Sequence, residues 1–360
     1  MLPELSKQIL DDWDNLFPET LRPDRIRYLG IPGSVEGGTT SFLGFSKESS
    51  KPLFAVKIHR QQDSEKRAIN EKKILLYLEQ FGGKIADLVP RLILCKNLGG
   101  TWVLVQSVLD GRPMVGTMTP NGIPNIQETI TNIRLAVDWL LELHWLTRDR
   151  SEQSTNLLKQ GWENIICEFS NTFNFSSNEQ NYLCSIREEI SCFESVVQHG
   201  DFCRHNILVD EKMGSRTIRV IDWTDSKRPG SPLHDLFFFL TTYYLQVRKN
   251  SGLNEFVRTF EHIFFGQTRH SSIVKEYVSE FCKRINLELT MARNLFALFL
   301  IERAVFEYRQ VNHCAKYGGL PRFTLFLAGN ENLSYSEAIK AQYWIHFFKL
   351  YIKNWRSFII

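Results

Sequence analysis

Three polar residues in the middle of the chain have the types and the spacing needed to move a phosphoryl group. Asp201 and Asn206 stand five residues apart in the segment HGDFCRHNILV, and Asp222 follows a short hydrophobic run. A carboxylate at Asp201 can accept the proton of an incoming hydroxyl group. An amide oxygen and a second carboxylate are ligands that Mg²⁺ accepts. The spacing therefore predicts a loop that works on a magnesium nucleotide and an alcohol.

Three sequence blocks in this region resemble the aminoglycoside phosphotransferase family, the small-molecule branch of the protein-kinase-like fold. They are H-G-D-x-x-x-x-N from His199, I-D-W from Ile221 and G-x-P-x-x-D-L from Gly230. A single block arises by chance, but three blocks in order and at workable spacing are far rarer. The resemblance extends from about Arg25 to Leu240, and the C-terminal third of the chain shows none.

The resemblance implies a role for each polar residue of these blocks. Asp201 is then the general base or the carboxylate that orients the substrate, and Asn206 and Asp222 are the magnesium ligands. His199 holds the loop through hydrogen bonds. Asp235 anchors the loop, although a helix N-cap explains this residue equally well. The alternative for the whole segment is a βαβ turn with a hydrogen-bonded histidine and a capping aspartate.

A kinase-like small lobe should also contain a lysine that binds phosphate. Lys57 follows Ala-Val in the predicted strand PLFAVKI, which is similar to the V-A-I-K segment of protein kinases. The alternative is an edge-strand lysine that prevents aggregation. A helix carboxylate should orient the lysine, and Glu71 suits this role because it leads the apolar stripe of its helix. Glu65 is the competing candidate, and helix glutamates also commonly face solvent.

The loop that covers the nucleotide departs from the protein-kinase pattern. No G-x-G-x-x-G occurs, and the candidates are Gly30, Gly33 and the run Gly37-Gly38-Thr39-Thr40-Ser41. Consecutive small residues can direct backbone N–H groups at phosphate oxygens, so Gly38 and Thr39 are predicted to bind the nucleotide. Hairpin turns rich in Gly, Ser and Thr are common, however.

The adenine base is expected to meet the backbone of the connection between the two lobes. This connection is placed at Gln106 to Leu109, where aliphatic side chains can lie above and below the ring. Gln106 and Val108 are therefore predicted to bind the nucleotide, by position rather than by side-chain type.

The remaining pattern supplies elements to hold these residues. Residues 4–17 have helical spacing, and residues 25–60 read as three short strands with turns. A charged helix is predicted over 64–81. Two further strands follow, and Asn97-Leu98-Gly99-Gly100 between them has the composition of a hairpin turn.

Beyond Leu109-Asp110-Gly111-Arg112-Pro113 the chain changes to long helices, interrupted by a strand-rich stretch at about 199–223. We therefore predict an α+β, two-lobed protein-kinase-like fold, with a small β-rich N-terminal lobe and a large, mainly helical C-terminal lobe. Residues 1–107 are predicted to bind the nucleotide. Residues 108–360 are predicted to carry the catalytic loop and the acceptor site.

Composition excludes several classes of protein. With 43% hydrophobic and 23% charged residues the chain is neither collagenous, coiled-coil nor wholly disordered. A net charge of +3 is too small to argue for nucleic acid. Seven scattered cysteines without a C-x-x-C pair indicate reduced thiols. The acidic, amphipathic N-terminus does not resemble a secretory signal, so we expect a cytoplasmic protein.

Several conspicuous residues are expected to serve packing rather than chemistry. His144, with Asp138 and Glu142, lies on a helix that faces a core. The aromatic run at 237–244 reads as buried core more readily than as a substrate pocket. Residues 340–360 form a helical pattern that packs on the large lobe, or alternatively lies on a membrane surface through its basic residues, which are Lys349, Lys353 and Arg356.

The acceptor is the least defined part of the prediction. The segment 246–360 contains no aspartate, and the predicted helix 291–310 mixes charges at Glu302, Arg303, Glu307 and Arg309. Mixed charge suits a neutral polyhydroxylated or an anionic acceptor better than a polycationic drug.

The leading interpretation is an ATP- and Mg²⁺-dependent enzyme that phosphorylates a hydroxyl group of a small molecule, such as a sugar, an amino alcohol or an aminoglycoside-like compound. Two alternatives stay open. One is a kinase for a protein or a lipid-linked glycan. The other is a catalytically silent pseudokinase scaffold, which the retention of four polar residues in one pocket disfavours.

Overall fold

The computed structural model shows helices and strands in two groups along the chain. The structure describes residues 1–31, 39–47, 49–59, 63–117, 125–189, 194–212, 215–245, 252–316, 320–321, 334–355 and 358. The elements of the N-terminal part are α1 (Leu2–Asp11), α2 (Trp13–Leu16), β1 (Arg27–Ile31), β2 (Thr39–Phe45), β3 (Phe54–His59), α3 (Ser64–Glu79), α4 (Gly83–Ala86), β4 (Leu92–Leu98), β5 (Thr101–Ser107) and β6 (Arg112–Pro113).

The rest of the chain is mainly helical. Its elements are a 3₁₀ turn (Met114–Thr117), α5 (Ile126–Thr147), α6 (Glu152–Thr172), α7 (Ser177–Glu189), β7 (Val196–Gln198), β8 (Ile207–Lys212), β9 (Ser215–Val220), β10 (Lys227–Gly230), α8 (His234–Tyr244), α9 (Leu253–Phe264), α10 (Arg269–Arg284), α11 (Leu289–Lys316), α12 (Tyr335–Lys340) and α13 (Tyr343–Asn354).

Residue contacts divide the chain into two compact units. The first unit contains Met1–Arg112 and Leu208–Ser226, and the second contains Pro113–Ile207 and Lys227–Ile360. The predicted α+β fold class, with a β-sheet N-terminal region and a helical C-terminal region, is confirmed. The division of functions between 1–107 and 108–360 stays a prediction. By contacts, the segment Leu208–Ser226 belongs with the N-terminal residues.

The sheet of the first unit is antiparallel throughout. Its strand order is β1-β2-β3-β5-β4, so the predicted three-strand meander is followed by a hairpin that pairs β5 with β3. The hairpin between β4 and β5 turns at Gly99 and Gly100, whose φ angles of 58° and 85° lie in the left-handed region. Glycine adopts this region without a steric penalty, and two such residues in a row form the tight turn that suits a hairpin.

Strand β3 separates an apolar face from a polar face. Its side chains alternate between the two faces of the sheet because the period of a strand is two residues. Phe54, Val56 and Ile58 are fully buried in a core that includes Ile9 of α1 and Trp13 of α2. Of the alternate positions, Ala55 is apolar and Lys57 and His59 are polar, and Lys57 contacts Glu71 of α3. The strand therefore places a lysine beside a helix on a rigid support.

The segment Leu208–Ser226 is fastened to the N-terminal residues by backbone hydrogen bonds. Val220, the last residue of β9, donates its N–H to the carbonyl oxygen of Leu88 at 2.9 Å. Two residues further on lies Asp222, which is thereby brought into the same unit as Lys57. The fold thus joins a strand residue and a carboxylate that are far apart in sequence.

Helices of the second unit begin at side chains that accept backbone hydrogen bonds. Asn125 caps α5 by accepting from the N–H groups of Gln127 and Glu128. Ser151 caps α6, and Thr268 forms a capping box at α10. Such caps satisfy backbone donors that have no partner within the helix.

An aromatic core holds the C-terminal helix in the second unit. The ring of Phe347 in α13 stacks on Phe260 in α9 at a centroid distance of 4.0 Å. Tyr351 of α13 contacts Phe296 of α11 at 5.4 Å, and both side chains are fully buried. The packing interpretation of this helix agrees with these contacts. Among the described residues, no helix combines the length and apolar composition needed to cross a membrane.

Truncation of Trp13 tests the apolar face of the first unit. The indole is 1% exposed, stacks on Phe17 and donates to the carbonyl oxygen of Thr20 at 2.8 Å. We expect Trp13→Ala to lower the free energy of unfolding by about 3–5 kcal/mol, because it leaves a cavity in the core. Leu21→Ala is the control, since Leu21 is 95% exposed and should change stability by less than about 0.5 kcal/mol. Urea unfolding measures both, and equal midpoints for the two variants would contradict this packing.

Candidate active site

The loop from His199 to Asn206 is held in the second unit by side chains from two helices. Asp235 of α8 accepts the N–H of His199 at 2.6 Å and that of Gly200 at 2.9 Å. Leu233 is the N-cap of this helix, so the structure favours the loop-anchoring role of Asp235 over the capping role. Gly200 has a φ of 83°, which a residue with a side chain rarely adopts. The loop is thus tight at the residue before Asp201.

Hydrogen bonds within the loop orient Asp201. The Nδ1 atom of His199 accepts the N–H of Asp201 at 3.2 Å, and His199 is fully buried. The amide nitrogen of Asn206 donates to the backbone oxygen of Asp201 at 2.9 Å and to its Oδ2 at 2.8 Å. His199 therefore acts as a structural residue, and Asn206 is brought to the Asp201 carboxylate.

Arg303 of α11 gives the same loop a further support, which the sequence pattern did not reveal. Its Nη1 atom donates to the carbonyl oxygen of Gly200 at 3.2 Å. The guanidinium lies over the rings of Phe238 at 4.2 Å and Phe306 at 4.7 Å. Stacking on aromatic faces fixes a planar guanidinium while its N–H groups stay directed at acceptors. Arg303 is therefore attached to the residue directly before Asp201.

The predicted lysine lies in a charged cluster of the first unit. Lys57 is 8% exposed, and its Nζ donates to Glu71 Oε1 at 2.6 Å and to Asp222 Oδ1 at 2.7 Å. Glu71 is fully buried, whereas Glu65 lies in the first turn of α3. The structure thus brings together Lys57, Glu71 and Asp222 and selects Glu71 over Glu65 as the lysine's partner.

Two further side chains hold Glu71, and the sequence indicated neither contact. Gln106 donates from Nε2 to Glu71 Oε1 at 2.8 Å, so its side chain is used inside the first unit. Thr224 places its hydroxyl oxygen 2.9 Å from Glu71 Oε2. Adenine binding by the backbone at Gln106 and at the half-buried Val108 stays a prediction.

Electrostatics explain why the lysine is stable in this buried position. Burial by itself lowers the pKa of Lys57, but Asp222 and then Glu71 outweigh it, so that the pKa is raised above its ordinary value. The lysine is therefore charged throughout the physiological range. His59, on the same face of β3, behaves oppositely, because burial lowers its pKa to about 4.

The nucleotide-covering loop is only partly described. Gly33, Gly37 and Gly38 lie outside the described residues. Thr39 begins β2, and its hydroxyl lies 3.1 Å from Nδ1 of His59. Its role with the nucleotide stays a prediction.

Each unit presents one side-chain oxygen of the kind that Mg²⁺ accepts from a protein. Within the described part of the chain, no group of three or more His, Cys, Asp or Glu side chains is suited to a metal. Mg²⁺ usually needs no such cage, because it binds one or two protein oxygens together with phosphates and water. The Asp222 side chain is 44% exposed, and Asn206 uses its amide nitrogen for Asp201, which leaves the amide oxygen as the donor atom suited to a metal.

His144 and the aromatic run of α8 serve packing as expected, whereas Asp138 does not. His144 is 2% exposed and its Nε2 lies 3.0 Å from Glu194 Oε1. The aromatic run of α8 is buried, including Phe237 and Tyr243. Asp138 pairs with Arg284 on the surface at 3.2 Å. Lys349 and Lys353 are exposed on α13, and Arg356 lies outside the described residues.

The charged residues of α11 separate into two groups. Glu302 is buried and paired with Lys227, and Arg309 pairs with Glu168. Burial would raise the pKa of Glu302, but Lys227 and His234 hold it well below its ordinary value. These two residues have partners within the second unit. Among the described residues, neither Arg303 nor Glu307 forms an ion pair of this kind, and these two remain as candidates for contact with an acceptor.

A strand lysine paired with a helix glutamate, together with a D-x-x-x-x-N loop, is the arrangement of kinase-like phosphotransferases. Residues 178–268, a quarter of the chain, match the model of the phosphotransferase enzyme family APH. The match includes the loop of Asp201 and the segment of Asp222. It confirms the predicted resemblance to this family and supports a small-molecule kinase.

Two solved structures are similar to the chain at low identity. One is the aminoglycoside phosphotransferase APH(3'')-Id from Streptomyces rimosus in complex with ADP and streptomycin, with 13% identity, a TM-score of 0.45, and 75% of this chain and 90% of that chain covered. The other is an aminoglycoside-3'-phosphotransferase of type VIII, with 17% identity, a TM-score of 0.41, and 75% and 98% covered. No curated protein matches the sequence.

The lowered pKa of His59 predicts a specific acid sensitivity. The folded chain holds this imidazole neutral down to about pH 4, whereas in the unfolded chain it takes up a proton near pH 6.5. Stability from this residue is therefore present above pH 6.5 and is lost as the pH falls toward 4. We expect a loss of about 2 kcal/mol between pH 7 and pH 4.5 that His59→Gln lacks. Urea unfolding of both proteins across this range measures it, and parallel pH profiles would show that His59 contributes nothing.

Proposed function

We propose that the chain transfers the γ-phosphoryl group of ATP, in the presence of Mg²⁺, to a hydroxyl group of a small molecule. The observation that carries this proposal is the buried Lys57, which pairs with the buried Glu71 and the partly exposed Asp222 in one unit. A lysine buried between two carboxylates gains little stability over an apolar core. Such a cluster is expected where phosphate and metal charges have to be bound.

Each residue has a defined task in this proposal. Lys57 binds phosphate oxygens of ATP, and Glu71 orients the lysine. Asn206 and Asp222 would hold Mg²⁺, which would neutralise phosphate charge when bound. The hydroxyl oxygen of the acceptor forms the new bond to the γ-phosphorus, and the bond to the bridging oxygen breaks, so that ADP leaves with the electron pair. Asp201 orients the hydroxyl group and accepts its proton.

The acceptor proposed here is neutral and polyhydroxylated, or anionic. Burial raises the pKa of Glu307 to about 8, against the opposite effect of Arg303, so this carboxyl group is largely uncharged at pH 7. Its Oε2 atom is buried and has no hydrogen-bond partner among the described residues. An uncharged carboxyl group beside an arginine offers hydrogen bonds without attracting a polycation. An aminoglycoside acceptor, like the streptomycin bound by the Streptomyces protein, is the competing outcome of the test.

A cytoplasmic location and a weak contact of α13 with membrane surfaces stay predictions. Two exposed lysines, Lys349 and Lys353, supply the charge for such a contact. Each is worth about 1 kcal/mol near an anionic surface. Flotation with anionic vesicles tests this contact, with a Lys349→Gln, Lys353→Gln double variant that keeps the buried face of α13 as the comparison.

Mg²⁺-dependent release of ADP tests the reaction. Pools of sugars, polyols, amino alcohols, nucleosides and aminoglycosides serve as acceptors. We expect release to rise with one neutral or anionic pool and to fall by at least 100-fold in Asp201→Asn, because a positioned base contributes about 10²–10⁴-fold. Asp138→Asn is the matched control, since Asp138 is a surface carboxylate of the same unit.

A measurement of ADP binding distinguishes a failure of the whole proposal from a failure of one of its parts. Failure of ADP to raise the melting temperature, together with no release, would end the phosphotransferase proposal. Release that persists in Asp201→Asn would remove Asp201 from the reaction. A response only to aminoglycosides would overturn the proposed acceptor class while leaving the reaction in place.

Replacement of Arg303 tests whether this residue takes part in binding the acceptor. We expect Arg303→Gln to lower kcat/KM for the acceptor by about 10- to 100-fold, because a hydrogen bond to a charged group is lost. The KM for ATP should stay unchanged, since the described contacts of Arg303 lie in the second unit. Arg309→Gln is the control on the same helix, because Arg309 lies further along α11 and pairs with Glu168. An unchanged acceptor kcat/KM in Arg303→Gln would exclude this residue from the site.

A further inference from the structure

The hydroxyl group of Thr224 lies within hydrogen-bond distance of Lys57, Glu71 and Asp222. Its hydroxyl oxygen lies 2.9 Å from Glu71 Oε2 and 2.7 Å from Asp222 Oδ1. The same oxygen accepts a hydrogen bond from Lys57 Nζ at 3.2 Å. Thr224 is 5% exposed. One buried hydroxyl thus contacts both carboxylates and the ammonium group.

All three N–H groups of the Lys57 ammonium already have acceptors in this arrangement. An ammonium group carries three N–H donors. Its three acceptors in the structure are Glu71 Oε1, Asp222 Oδ1 and Thr224 Oγ1. A phosphate oxygen that binds Lys57 therefore has to replace one of them.

The contact with Glu71 is the hardest of the three to replace. Glu71 is fully buried, and Gln106 also donates to its Oε1 atom. The folded protein is strongly destabilised when a buried carboxylate loses its ammonium partner. Asp222, in contrast, is 44% exposed on its side chain. The exchange on phosphate binding therefore takes place at Asp222 or at Thr224.

The position of Thr224 is set by the turn that contains it. Asp222 has a φ of 67°, in the left-handed region. The indole of Trp223 is fully buried and donates to the carbonyl oxygen of Val220 at 3.1 Å. Asn70 of α3 donates to the carbonyl oxygen of Ser226 at 2.8 Å. The turn is thus attached at both ends, and Thr224 is directed at the cluster.

We propose that Thr224 is a positioning residue of the nucleotide site, whose hydroxyl keeps the Asp222 carboxylate in place while Lys57 turns to a nucleotide phosphate. This inference rests on the proposed function. The hydroxyl has one proton, which it donates to one of the two carboxylates at a time. Once Lys57 leaves Asp222, the hydroxyl bond at 2.7 Å still orients that carboxylate. Valine has the same shape but cannot do this, whereas serine can.

Binding of ADP to Thr224→Val and Thr224→Ser, measured by calorimetry with Mg²⁺, tests the inference. We expect Thr224→Val to weaken ADP binding by about 10- to 100-fold, the usual effect of losing a hydrogen bond to a charged group. Thr224→Ser should stay within about threefold of wild type. In turnover, Thr224→Val should raise the KM for ATP and leave the KM for the acceptor unchanged.

Melting temperatures without ligand separate positioning from folding. A folded Thr224→Val that binds ADP as wild type does would overturn the inference. So would a Thr224→Ser that binds as weakly as Thr224→Val, because the hydroxyl would then be irrelevant. If Thr224→Val does not fold, Thr224→Ser still tests the inference. ADP binding by Thr224→Ser that is weaker than wild type by more than about threefold, or a changed KM for the acceptor, would overturn it. Wild type that binds no ADP would instead refute the proposed function, and this inference with it.

Discussion

A buried ammonium group has to be matched by negative charge, and this requirement at Lys57 governs the arrangement of the first unit. The lysine stands on a central strand, and its partners come from α3 and from the segment after β9. Gln106 adds a second donor to Oε1 of Glu71, and the hydroxyl of Thr224 lies beside its Oε2. Because a buried carboxylate without such partners is costly, the strand, the helix and the later segment have to come together in one packing.

The second unit solves a different problem, which is to hold one carboxylate in a defined direction on a tight loop. The left-handed backbone at Gly200 makes the turn possible, and Asp235 and Arg303 bind its N–H and carbonyl groups from two helices. Asn206 and His199 complete the hydrogen bonds around Asp201. A loop held by α8 and α11 is more precise than one held by its own residues, because the helices are fixed in an aromatic core.

Much of the fold and part of the candidate site could be predicted because both depend on short-range patterns. The turn residues that bound PLFAVKI predicted a strand with Lys57, and the glycine pair after Leu98 predicted the hairpin. The apolar stripe of α3 favoured Glu71 over Glu65. Asp235 was ambiguous, since a carboxylate at the start of a helix is equally suited to a cap. Gln106 was assigned by position, and its side chain proved to hold Glu71.

By itself the sequence determined the elements, the order of the three blocks and the residue types that can move a phosphoryl group. Only the tertiary structure decided which of these residues meet. Lys57 and Asp222 are 165 positions apart, and Lys57 and Thr224 are 167 apart. Spacing predicts neighbours within one helix or strand, because there the backbone geometry is regular. Over longer separations the neighbours are set by how the elements pack, so a threonine without a motif of its own became the meeting point of three charges.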